Sequence, residues 1–336
     1  MRILLVETFF KGSHRKWSNE LKIHIEAHAS FKLDIFSIDS LSWKEAMSYE
    51  FKSDEIIFFN YDLVITSSMV NLSNFKSKFK IHAPHIIYFH ENQLAYPWTQ
   101  NDKNGKRPIY SEIQIESAKL ADQLVFNSEF NMNSFGHFKN KSSVLPLGID
   151  IDRIKKNKVS KDKKLTLLWN HRWEYDKNPK LFFETLRNLK KNVDFNLIVT
   201  GESPFHVENT HFQKAREEFK DNIIHFGYAV NLDEYYKLLW RSHLSIVTSQ
   251  HDFFGLSVCE STICNVLNIL PLRLAYPEHF IKHDNFYKND EEIVELTNKF
   301  LDVGLQTEHR IESYDWNIVI ESYIDLFEKF GSRPKT

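Results

Sequence analysis

The sequence predicts an α/β protein built from two doubly wound parallel sheets. Short apolar runs alternate with longer amphipathic stretches along the whole chain, a pattern typical of buried parallel strands separated by helices. A polar, charge-rich stretch at residues 150–164 interrupts this alternation, which then starts again. The chain has 336 residues, of which 42% are hydrophobic, so it is long enough to bury two separate cores.

Strand-like runs occur in both halves of the chain, with helical segments between most of them. In the first half they are "RILLVE", "KLDIFSI", "DLVITSS", "HIIYFHE", "QLVFNSE" and "SVLPLGI". In the second half they are "LTLLWN", "FNLIVTG", "NIIHFGY", "HLSIVTS" and "VLNILPL". The last segment, "WNIVIESYIDLFEKF", repeats its apolar residues at helical spacing and predicts an amphipathic helix.

This order predicts three parts of the chain. We expect an N-terminal Rossmann-like domain at residues 1–150 and a C-terminal Rossmann-like domain at residues 151–314, facing each other across a cleft. The helical segment within residues 315–336 is able to cross back to the first domain. We interpret the stretch "DIDRIKKNKVSKDKK" as the linker between the domains.

Several protein classes are excluded or disfavoured. The chain has only two cysteines, Cys259 and Cys264, which are too few and too closely spaced for a disulfide framework or a zinc site. It lacks both the G-x-G-x-x-G turn of dinucleotide oxidoreductases and the P-loop of nucleotidases. Neither a signal peptide nor a run of ~20 apolar residues is visible. We therefore expect a cytoplasmic protein without stable membrane insertion.

Charge is distributed unevenly along the chain. Residues 1–164 carry 24 basic and 19 acidic side chains, whereas the remainder carries 19 basic and 26 acidic ones. This asymmetry permits a polyanionic partner on the first half, although such runs also occur on ordinary solvated surfaces.

The segment "HRWEYDKNP" places two cations where a predicted strand turns into a predicted helix. Ligands of open parallel sheets collect at the carboxyl ends of the strands. If the ligand is a diphosphate, Arg172 can donate to two of its oxygens while Lys177 adds a second positive charge. The alternative is that one or both cations form surface salt bridges.

A second segment, "HDFFGLSVCE", follows the predicted strand "HLSIVTS" and begins a helix near Gly255. Backbone N–H groups at a helix start can meet an anion. Asp252 and Glu260 are eight residues apart, and carboxylates in such positions can grip sugar hydroxyls. The alternative is an N-cap aspartate with an exposed glutamate.

These two segments resemble those of retaining nucleotide-sugar glycosyltransferases of the GT-B architecture. A narrower similarity extends over residues 1 to about 330. The segments "ETFFKGSH", "YFHENQLAYP", "VFNSEFNMNSF", "WNHRWEYDKNP", "HDFFGLSVCE" and "YPEHF" occur in order and together resemble the tRNA-queuosine alpha-mannosyltransferases. "HENQLAYP" and "HRWEYDKNP" are not general to GT-B enzymes, so they carry most of this resemblance.

The resemblance implies retaining transfer of mannose from GDP-mannose to the queuosine nucleoside of tRNA, with no metal cofactor. Arg172 and Lys177 would neutralise the donor diphosphate, and Glu260 would hold the ribose diol. Asp252 and the backbone of residues 253–256 would hold the mannose. We therefore expect a nucleotide sugar and a tRNA containing queuosine as partners.

The resemblance also assigns residues of the first domain. Gly12, Ser13 and His14 would form a loop that closes over the diphosphate and the acceptor, and His90 would lie beside the reacting sugar. Further donor contacts are expected at Glu91, Asn92, Gly201, Tyr228, Val230, Phe253, Phe254, Gly255 and Leu256. Of these, Tyr228 and Val230 would line the base pocket.

Acceptor contacts are expected in the segment "NDKNGKRP". Its three cations, Lys103, Lys106 and Arg107, follow "HENQLAYP" on a predicted loop and could meet RNA phosphates. The alternative is a solvated loop.

Two positions depart from the pattern of the wider superfamily. Asp252 stands where a glutamate is usual, and Asn265 stands where a glycine usually ends the helix. Neither change removes a charge.

Two further patterns favour no metal site. Asp150 and Asp152 spell the D-x-D pattern of metal-dependent glycosyltransferases of another fold, but they open the predicted linker. The pairs His24/His28 and His279/His283 have helical spacing without an evident acidic or thiol partner, so we interpret them as exposed helical histidines.

Two other functions remain open. One is a GT-B enzyme acting on a lipid or polysaccharide precursor, and the other is a non-catalytic protein that binds nucleotide sugars or RNA. The set of Arg172, Lys177 and Glu260 argues against the binder, because a binder need not retain all three.

Overall fold

A computed structural model describes residues 1–52, 60–97, 107–202, 210–305 and 307–331. The chain divides into two compact units. Unit 1 combines Met1–Gly148 with the C-terminal segment from Tyr314 onward, and unit 2 is Ile149–Ser313. Each unit contains a six-stranded parallel sheet with helices, so the predicted α/β fold of two doubly wound sheets is confirmed.

The sheet of unit 1 has the strand order β2-β1-β3-β4-β5-β6. Its strands are β1 Arg2–Glu7, β2 Lys32–Ser37, β3 Leu63–Ser67, β4 His85–Phe89, β5 Gln123–Phe126 and β6 Ser142–Val144. Its helices are α1 Gly12–Glu26, α2 Trp43–Met47, α3 Leu72–Lys78, α4 Arg107–Leu120, α5 Glu129–Phe135 and the C-terminal α13 Trp316–Gly331. The strand order changes direction beside β1, which places a topological switch point between β1 and β3.

The sheet of unit 2 has the strand order β12-β11-β10-β7-β8-β9. Its strands are β7 Thr166–Trp169, β8 Asn196–Thr200, β9 Ile223–Gly227, β10 Leu244–Ile246, β11 Leu267–Pro271 and β12 Phe286–Tyr287. Its helices are α6 Ile151–Lys156, α7 Pro179–Leu189, α8 Thr210–Glu218, α9 Leu232–Arg241, α10 Leu256–Ile263, α11 Tyr276–His279 and α12 Glu292–Val303. Here the switch point lies between β7 and β10, where ligands of such sheets bind.

The predicted linker is wrong in its first part, because the chain forms α6 there. The Asp150 carboxylate accepts a hydrogen bond of 2.9 Å from the backbone N–H of Arg153 and so caps the helix. Ile151 and Ile154 are buried, and the Trp240 indole N–H donates to the Ile154 carbonyl at 2.8 Å. Ile151 and Ile154 have helical spacing, but the charged residues around them make this short apolar pattern hard to recognise in the sequence.

Helix α13 packs within unit 1 through the apolar face that the sequence predicts. Its buried side chains include Trp316, Val319, Tyr323 and Phe327. The Tyr323 hydroxyl accepts from the Trp17 indole N–H at 3.2 Å. Among the described residues, no helix is both long and apolar enough to cross a bilayer.

We predict that Gly148→Ala destabilises the protein by about 1–3 kcal/mol, because overpacking a core costs this much. A Cβ on Gly148 would lie 2.1 Å from a ring carbon of Trp316, a contact that requires the indole or the chain to move. Urea unfolding monitored by circular dichroism measures the change. The control is Ile318→Ala on the exposed side of α13, which should stay within about 0.5 kcal/mol. Equal stability of the two variants would contradict the prediction.

Candidate active site

The carboxyl ends of β7 and β10 bring the two predicted donor segments together. The loop after β7 ends in a 3-10 turn, Tyr175–Lys177, and the loop after β10 leads into α10. The Gln250 N–H donates to the Asp176 carbonyl at 2.7 Å, and the Thr248 hydroxyl donates to the Lys177 carbonyl at 2.8 Å. These bonds hold both loops at the switch point of unit 2.

Lys177 is buried between two carboxylates. Its Nζ lies 3.3 Å from Asp176 Oδ2, 3.4 Å from Asp252 Oδ2 and 2.7 Å from the His251 carbonyl oxygen. Burial lowers the pKa of Lys177, but the two carboxylates outweigh this and raise it above its usual value. The sequence predicted Lys177 and Asp252 as site residues and missed Asp176, although it directly precedes the lysine.

Asp252 closes the turn that begins α10. Its Oδ1 accepts from the Gly255 N–H at 2.8 Å, and its Oδ2 accepts from the Tyr276 hydroxyl at 3.1 Å. Burial raises the pKa of Asp252, but Lys177, His171, His251 and the hydrogen bond from Tyr276 together outweigh it, and the pKa falls to about 2. The Gly255 N–H, predicted to meet an external anion, is thus bonded to Asp252 within the chain. The carboxylate therefore stays ionised and fixed.

The backbone conformations at the start and after the end of α10 explain why Gly255 and Asn265 occupy these positions. Gly255 has φ +82°, and a Cβ there would lie 2.7 Å from the Tyr276 ring, so glycine is required on both grounds. Asn265, which follows the helix, has φ +56°. Asparagine adopts this left-handed conformation more readily than other non-glycine residues, which accounts for the departure from glycine.

Glu260 is buried rather than exposed, so the alternative of an exposed glutamate is wrong. Its carboxylate accepts from the Tyr235 hydroxyl at 3.1 Å and from the Tyr236 hydroxyl at 3.5 Å. The Asn170 amide donates to the Tyr235 oxygen at 3.4 Å and to the Ser257 carbonyl at 2.8 Å. A continuous set of hydrogen bonds thus connects Glu260 to the loop after β7. The two tyrosines come from α9 and were not predicted.

Arg172 lies on the same loop as Lys177 but faces solvent more. Its side chain is 48% exposed and its guanidinium lies 3.1 Å from Glu174 Oε2. Both predicted cations therefore form ion pairs with nearby acids, as the alternative interpretation allowed. Only Arg172 keeps a large accessible surface for an anionic ligand.

The remaining predicted donor contacts of unit 2 fall into two groups. Gly201 lies next to the site, since a Cβ on it would approach the His171 carbonyl oxygen to 2.1 Å. Tyr228 and Val230 lie after β9, the edge strand two positions from β7, and are 74% and 90% exposed. The structure does not bring these two residues into contact with Lys177.

The two phenylalanines before α10 are buried. The Phe253 ring packs edge-on against His251, with centroids 4.3 Å apart, and the Phe254 carbonyl is hydrogen-bonded to His279 Nε2. Leu256 begins α10 and is half-buried. The prediction that His279 and His283 form an exposed helical pair is wrong, because His279 is buried and His283 lies in the loop before β12.

In unit 1, the predicted His14 is bonded to an unpredicted carboxylate. Glu7 is the last residue of β1 and is fully buried. Its Oε1 accepts from the Phe9 N–H and the Ser67 hydroxyl, both at 2.8 Å, and its Oε2 lies 2.9 Å from His14 Nδ1. Gly12, with φ +47°, begins α1, and Ser13 is exposed.

His90 completes a buried cluster with Glu7 and His14. The ring centroids of His14 and His90 are 4.2 Å apart, and the rings of Trp17 and Tyr88 enclose His90. Within the described chain, neither ring nitrogen of His90 has a hydrogen-bond partner. Burial lowers the pKa of His90 well below its usual value, and His14 adds to the effect, so the ring is neutral.

These three side chains are also a possible set of metal ligands. One ligand atom from each lies within 4.8 Å of the others, and two histidines with a glutamate suit zinc. However, Glu7 Oε2 and His14 Nδ1 are only 2.9 Å apart, which fits a hydrogen bond. Two ligands bound tetrahedrally to one zinc ion would lie about 3.3 Å apart. The separation therefore favours a hydrogen-bonded pair.

The other predicted residues of unit 1 are less well placed for a ligand. Asn92 is fully buried, and its amide donates to Asn131 Oδ1 and the Ser134 hydroxyl, both at 2.9 Å. Glu91 accepts from the Gln93 amide at 3.1 Å. Of the predicted acceptor contacts, Lys103 and Lys106 fall outside the described residues, and only the backbone of Arg107, which begins α4, is described.

Comparison with protein families matches both units. Residues 2–161 match the family described as tRNA-queuosine alpha-mannosyltransferase N-terminal, and residues 150–315 match glycosyl transferases group 1. A tRNA-queuosine alpha-mannosyltransferase from Drosophila melanogaster is 28% identical over 371 aligned positions, which cover 97% of this chain and 96% of the relative. The chain is therefore similar to a tRNA-queuosine alpha-mannosyltransferase along almost its whole length, and its second half matches a glycosyltransferase family. It is therefore a glycosyltransferase.

Solved structures similar to this chain show the GT-B fold. A glycosyltransferase from Rickettsia africae has a TM-score of 0.68 at 15% identity, with 99% of each chain covered. A sucrose-phosphate synthase from Thermosynechococcus elongatus has a TM-score of 0.73 at 11% identity, with 98% of each chain covered.

We predict that Lys177→Met destabilises this glycosyltransferase by about 3–5 kcal/mol, because it leaves the Asp176 and Asp252 carboxylates buried without their cation. Urea unfolding measures the change. The matched control is Lys180→Met, since Lys180 is exposed and lies 3.9 Å from Glu184, and it should change stability by less than about 0.5 kcal/mol. If both variants unfold at the same urea concentration, Lys177 is not a structural cation.

We also predict that the protein loses stability as the pH falls from about 6.5 towards 4. Burial lowers the pKa of His171, His251 and His279 to about 4 each. Between pH 6.5 and 4 the unfolded chain binds protons that the folded chain does not, which costs up to about 1.4 kcal/mol per pH unit for each histidine. Urea midpoints at pH 7.5 and 5 measure this loss. His85 and His90 are also buried with lowered pKa values, so His279→Gln should reduce the loss by about a fifth. An unchanged loss would refute the assignment.

Proposed function

We propose that this glycosyltransferase transfers mannose from GDP-mannose to the queuosine nucleoside of tRNA, with retention at the anomeric carbon. The assignment of the acceptor is supported by the end-to-end similarity to the Drosophila relative, together with the match of residues 2–161. The donor is inferred from the site at the switch point of unit 2 and from the resemblance of its segments to those of the family.

The donor would bind along the carboxyl edge of the sheet of unit 2. Arg172 supplies the accessible positive charge for the diphosphate. The Val258 N–H already donates to the Gly255 carbonyl at 2.9 Å, but the Leu256 and Ser257 N–H groups before it can add hydrogen bonds to the same anion. Glu260 is held by the Tyr235 and Tyr236 hydroxyls and can accept from the ribose diol.

In this arrangement, Lys177 positions other residues of the site and does not contact the donor. An ammonium group has three N–H donors, and Lys177 Nζ already has three oxygen neighbours within the chain. A direct contact with phosphate would require one of them to be released. Lys177 instead holds Asp252 in place beside the sugar, while Arg172 meets the phosphates.

The transfer proceeds by front-face departure. The bond between the anomeric carbon of mannose and the β-phosphate oxygen breaks, and a bond from the same carbon to a queuosine hydroxyl oxygen forms on the same face. The proton of that hydroxyl goes to the leaving phosphate, so GDP departs and no metal ion takes part. The protein contributes positioning and stabilisation of the charge that develops on the diphosphate.

We predict that Arg172→Ala lowers kcat by about 10² to 10³-fold, because it removes a preorganised charge from the leaving group. The assay incubates radiolabelled GDP-mannose with tRNA that contains or lacks queuosine, followed by nucleoside analysis. Label should appear only in queuosine. Arg187→Ala is the matched control, since Arg187 pairs with Glu218 on the surface of unit 2.

Three results would contradict this function. They are label in tRNA without queuosine, label from another nucleotide sugar in preference to GDP-mannose, and Arg172→Ala with most of its activity. Transfer to a lipid or polysaccharide precursor would favour the alternative acceptor instead.

A further inference from the structure

Lysines of unit 1 gather at the amino ends of three neighbouring strands of its sheet. Residues 71–85 and 130–149 contain five lysines and neither an aspartate nor a glutamate. These stretches lead into β4 and β6, and α4 leads into β5 between them. Because β4, β5 and β6 are parallel neighbours, their amino ends meet at one edge. We call this surface the basic edge, and it consists of Lys76, Lys78, Lys80, Lys119, Lys139 and Lys141.

Two of these lysines are fixed on the end of α4. The Lys76 ammonium donates to the Leu120 carbonyl at 3.1 Å. The Lys141 ammonium donates to the carbonyls of Lys119 at 3.1 Å and Ala121 at 2.5 Å. The last carbonyls of a helix have no intrahelical partner and carry partial negative charge, so they hold cations well. These contacts bring the end of α3, the end of α4 and the turn before β6 onto one surface.

Three other lysines of the basic edge have no partner. Within the described parts of the chain, the side chains of Lys78, Lys80 and Lys139 are exposed and form neither an ion pair nor a hydrogen bond. Two acids lie beside the surface, namely Glu116, which pairs with Lys119, and the exposed Asp122. The basic edge therefore carries an excess of positive charge.

Repulsion between the cations is part of this surface. Burial lowers the pKa of Lys141, Asp122 raises it, and the neighbouring Lys76 lowers it again. Lys76 also adds to the effect of burial on His85, whose pKa falls to about 4. Like charges held close together destabilise a compact chain. A cluster that costs stability in this way indicates a partner that supplies the missing negative charge.

We propose that the basic edge binds phosphates of the tRNA body, away from the queuosine that accepts mannose. The proposal rests on the proposed function in one respect, namely that the acceptor nucleoside belongs to a tRNA. Lysine binds a phosphate as a point charge, and each such contact releases counterions from the nucleic acid.

The position of the basic edge separates it from the reacting nucleoside. Ligands of a doubly wound sheet bind at the carboxyl ends of its strands, whereas the basic edge lies at the amino ends. Strand β4 has five residues, so the two edges are about 17 Å apart at ~3.3 Å per residue. A nucleoside is too short to contact both edges, but a folded RNA is long enough. The basic edge thus adds affinity for tRNA and takes no part in the transfer step.

The composition of the basic edge favours RNA over a membrane. Anionic lipids also attract lysines, but binding to a bilayer surface requires apolar side chains that enter it. Among the described residues of this surface, Leu120 is the large apolar side chain with substantial exposure, at 43%. One such side chain among six lysines fits a wet, charged nucleic-acid interface better.

The first measurement is the affinity of the protein for full-length tRNA, followed by fluorescence anisotropy from about 50 to 200 mM KCl. The variant combines Lys78→Ala, Lys80→Ala and Lys139→Ala. It should bind about tenfold or more weakly than the wild type at the lowest salt concentration. The slope of log K against log salt concentration should become shallower by about 2–3, because each lost phosphate contact contributes about 0.7–0.9.

The matched control removes three exposed lysines of unit 2 by Lys163→Ala, Lys214→Ala and Lys220→Ala. It changes the net charge by the same amount, so it should keep the affinity and the slope of the wild type. The combination of Lys78→Arg, Lys80→Arg and Lys139→Arg keeps the charges and should bind tRNA as the wild type does. A thermal melt shows that each variant is folded.

The second measurement is mannosyl transfer to two acceptors that carry queuosine, a full-length tRNA and a short RNA hairpin. The alanine variant of the basic edge should raise KM for the tRNA about tenfold and leave kcat within about twofold, because the lost contacts serve the ground state and the transition state equally. KM for the hairpin should not change, since the hairpin does not reach the basic edge.

Four outcomes overturn the proposal. They are an unchanged affinity and salt slope for tRNA, an equal loss in the unit 2 control, an equal rise in KM for the hairpin, and loss of binding to phosphatidylserine vesicles with tRNA affinity retained. If the wild type transfers no mannose to queuosine, the proposed function fails, while the anisotropy still decides whether the basic edge binds tRNA.

Discussion

The buried contact of Lys177 with Asp176 and Asp252 is the interaction on which the rest of the site depends. It joins the loop after β7 to the loop after β10 at the point where the sheet of unit 2 changes direction. Taking three charges out of water is costly, and the short distances and the additional bond to the His251 carbonyl offset that cost. Asp252, fixed in this way, closes the turn at Gly255 and so sets the direction of α10. The position of Glu260 follows, because it lies on that helix.

Both units place an acid at the switch point of a parallel sheet, but they give it different partners. In unit 2 the acids hold a lysine, which lowers the pKa of Asp252. In unit 1 the acid Glu7 holds a histidine, whose ring can present either a donor or an acceptor at its second nitrogen. The same architectural position thus pairs an acid with a lysine in one unit and with a histidine in the other.

The sequence predicted the fold well because buried parallel strands leave a strong pattern. Ten of the eleven runs quoted from the sequence contain a strand of the structure, and the eleventh, "SVLPLGI", overlaps β6 by two residues. Two elements escaped prediction. Strand β12 has only two residues, Phe286–Tyr287. Helix α6 lies in a charged stretch and has only two buried apolar residues, so its apolar face is too small to recognise in the sequence. Neither carries enough periodicity to be recognised in isolation.

The candidate site was predicted where residues follow strands directly, and missed where partners come from elsewhere. Lys177 and Asp252 meet because the carboxyl ends of β7 and β10 are neighbours. Tyr235 and Tyr236 reach Glu260 from α9, and only the packing of the helices brings them there. In the sequence, Glu7 is simply the last residue of a predicted strand. Its contact with His14 forms only because α1 folds back onto β1.

The most direct test of this account is a structure of the protein with GDP-mannose bound. The account predicts the diphosphate within hydrogen-bonding distance of the Arg172 guanidinium and the first turn of α10, the ribose diol on Glu260, and Lys177 still in contact with Asp176 and Asp252. A diphosphate bound away from Arg172, or a Lys177 that leaves both aspartates to bind phosphate, would contradict it.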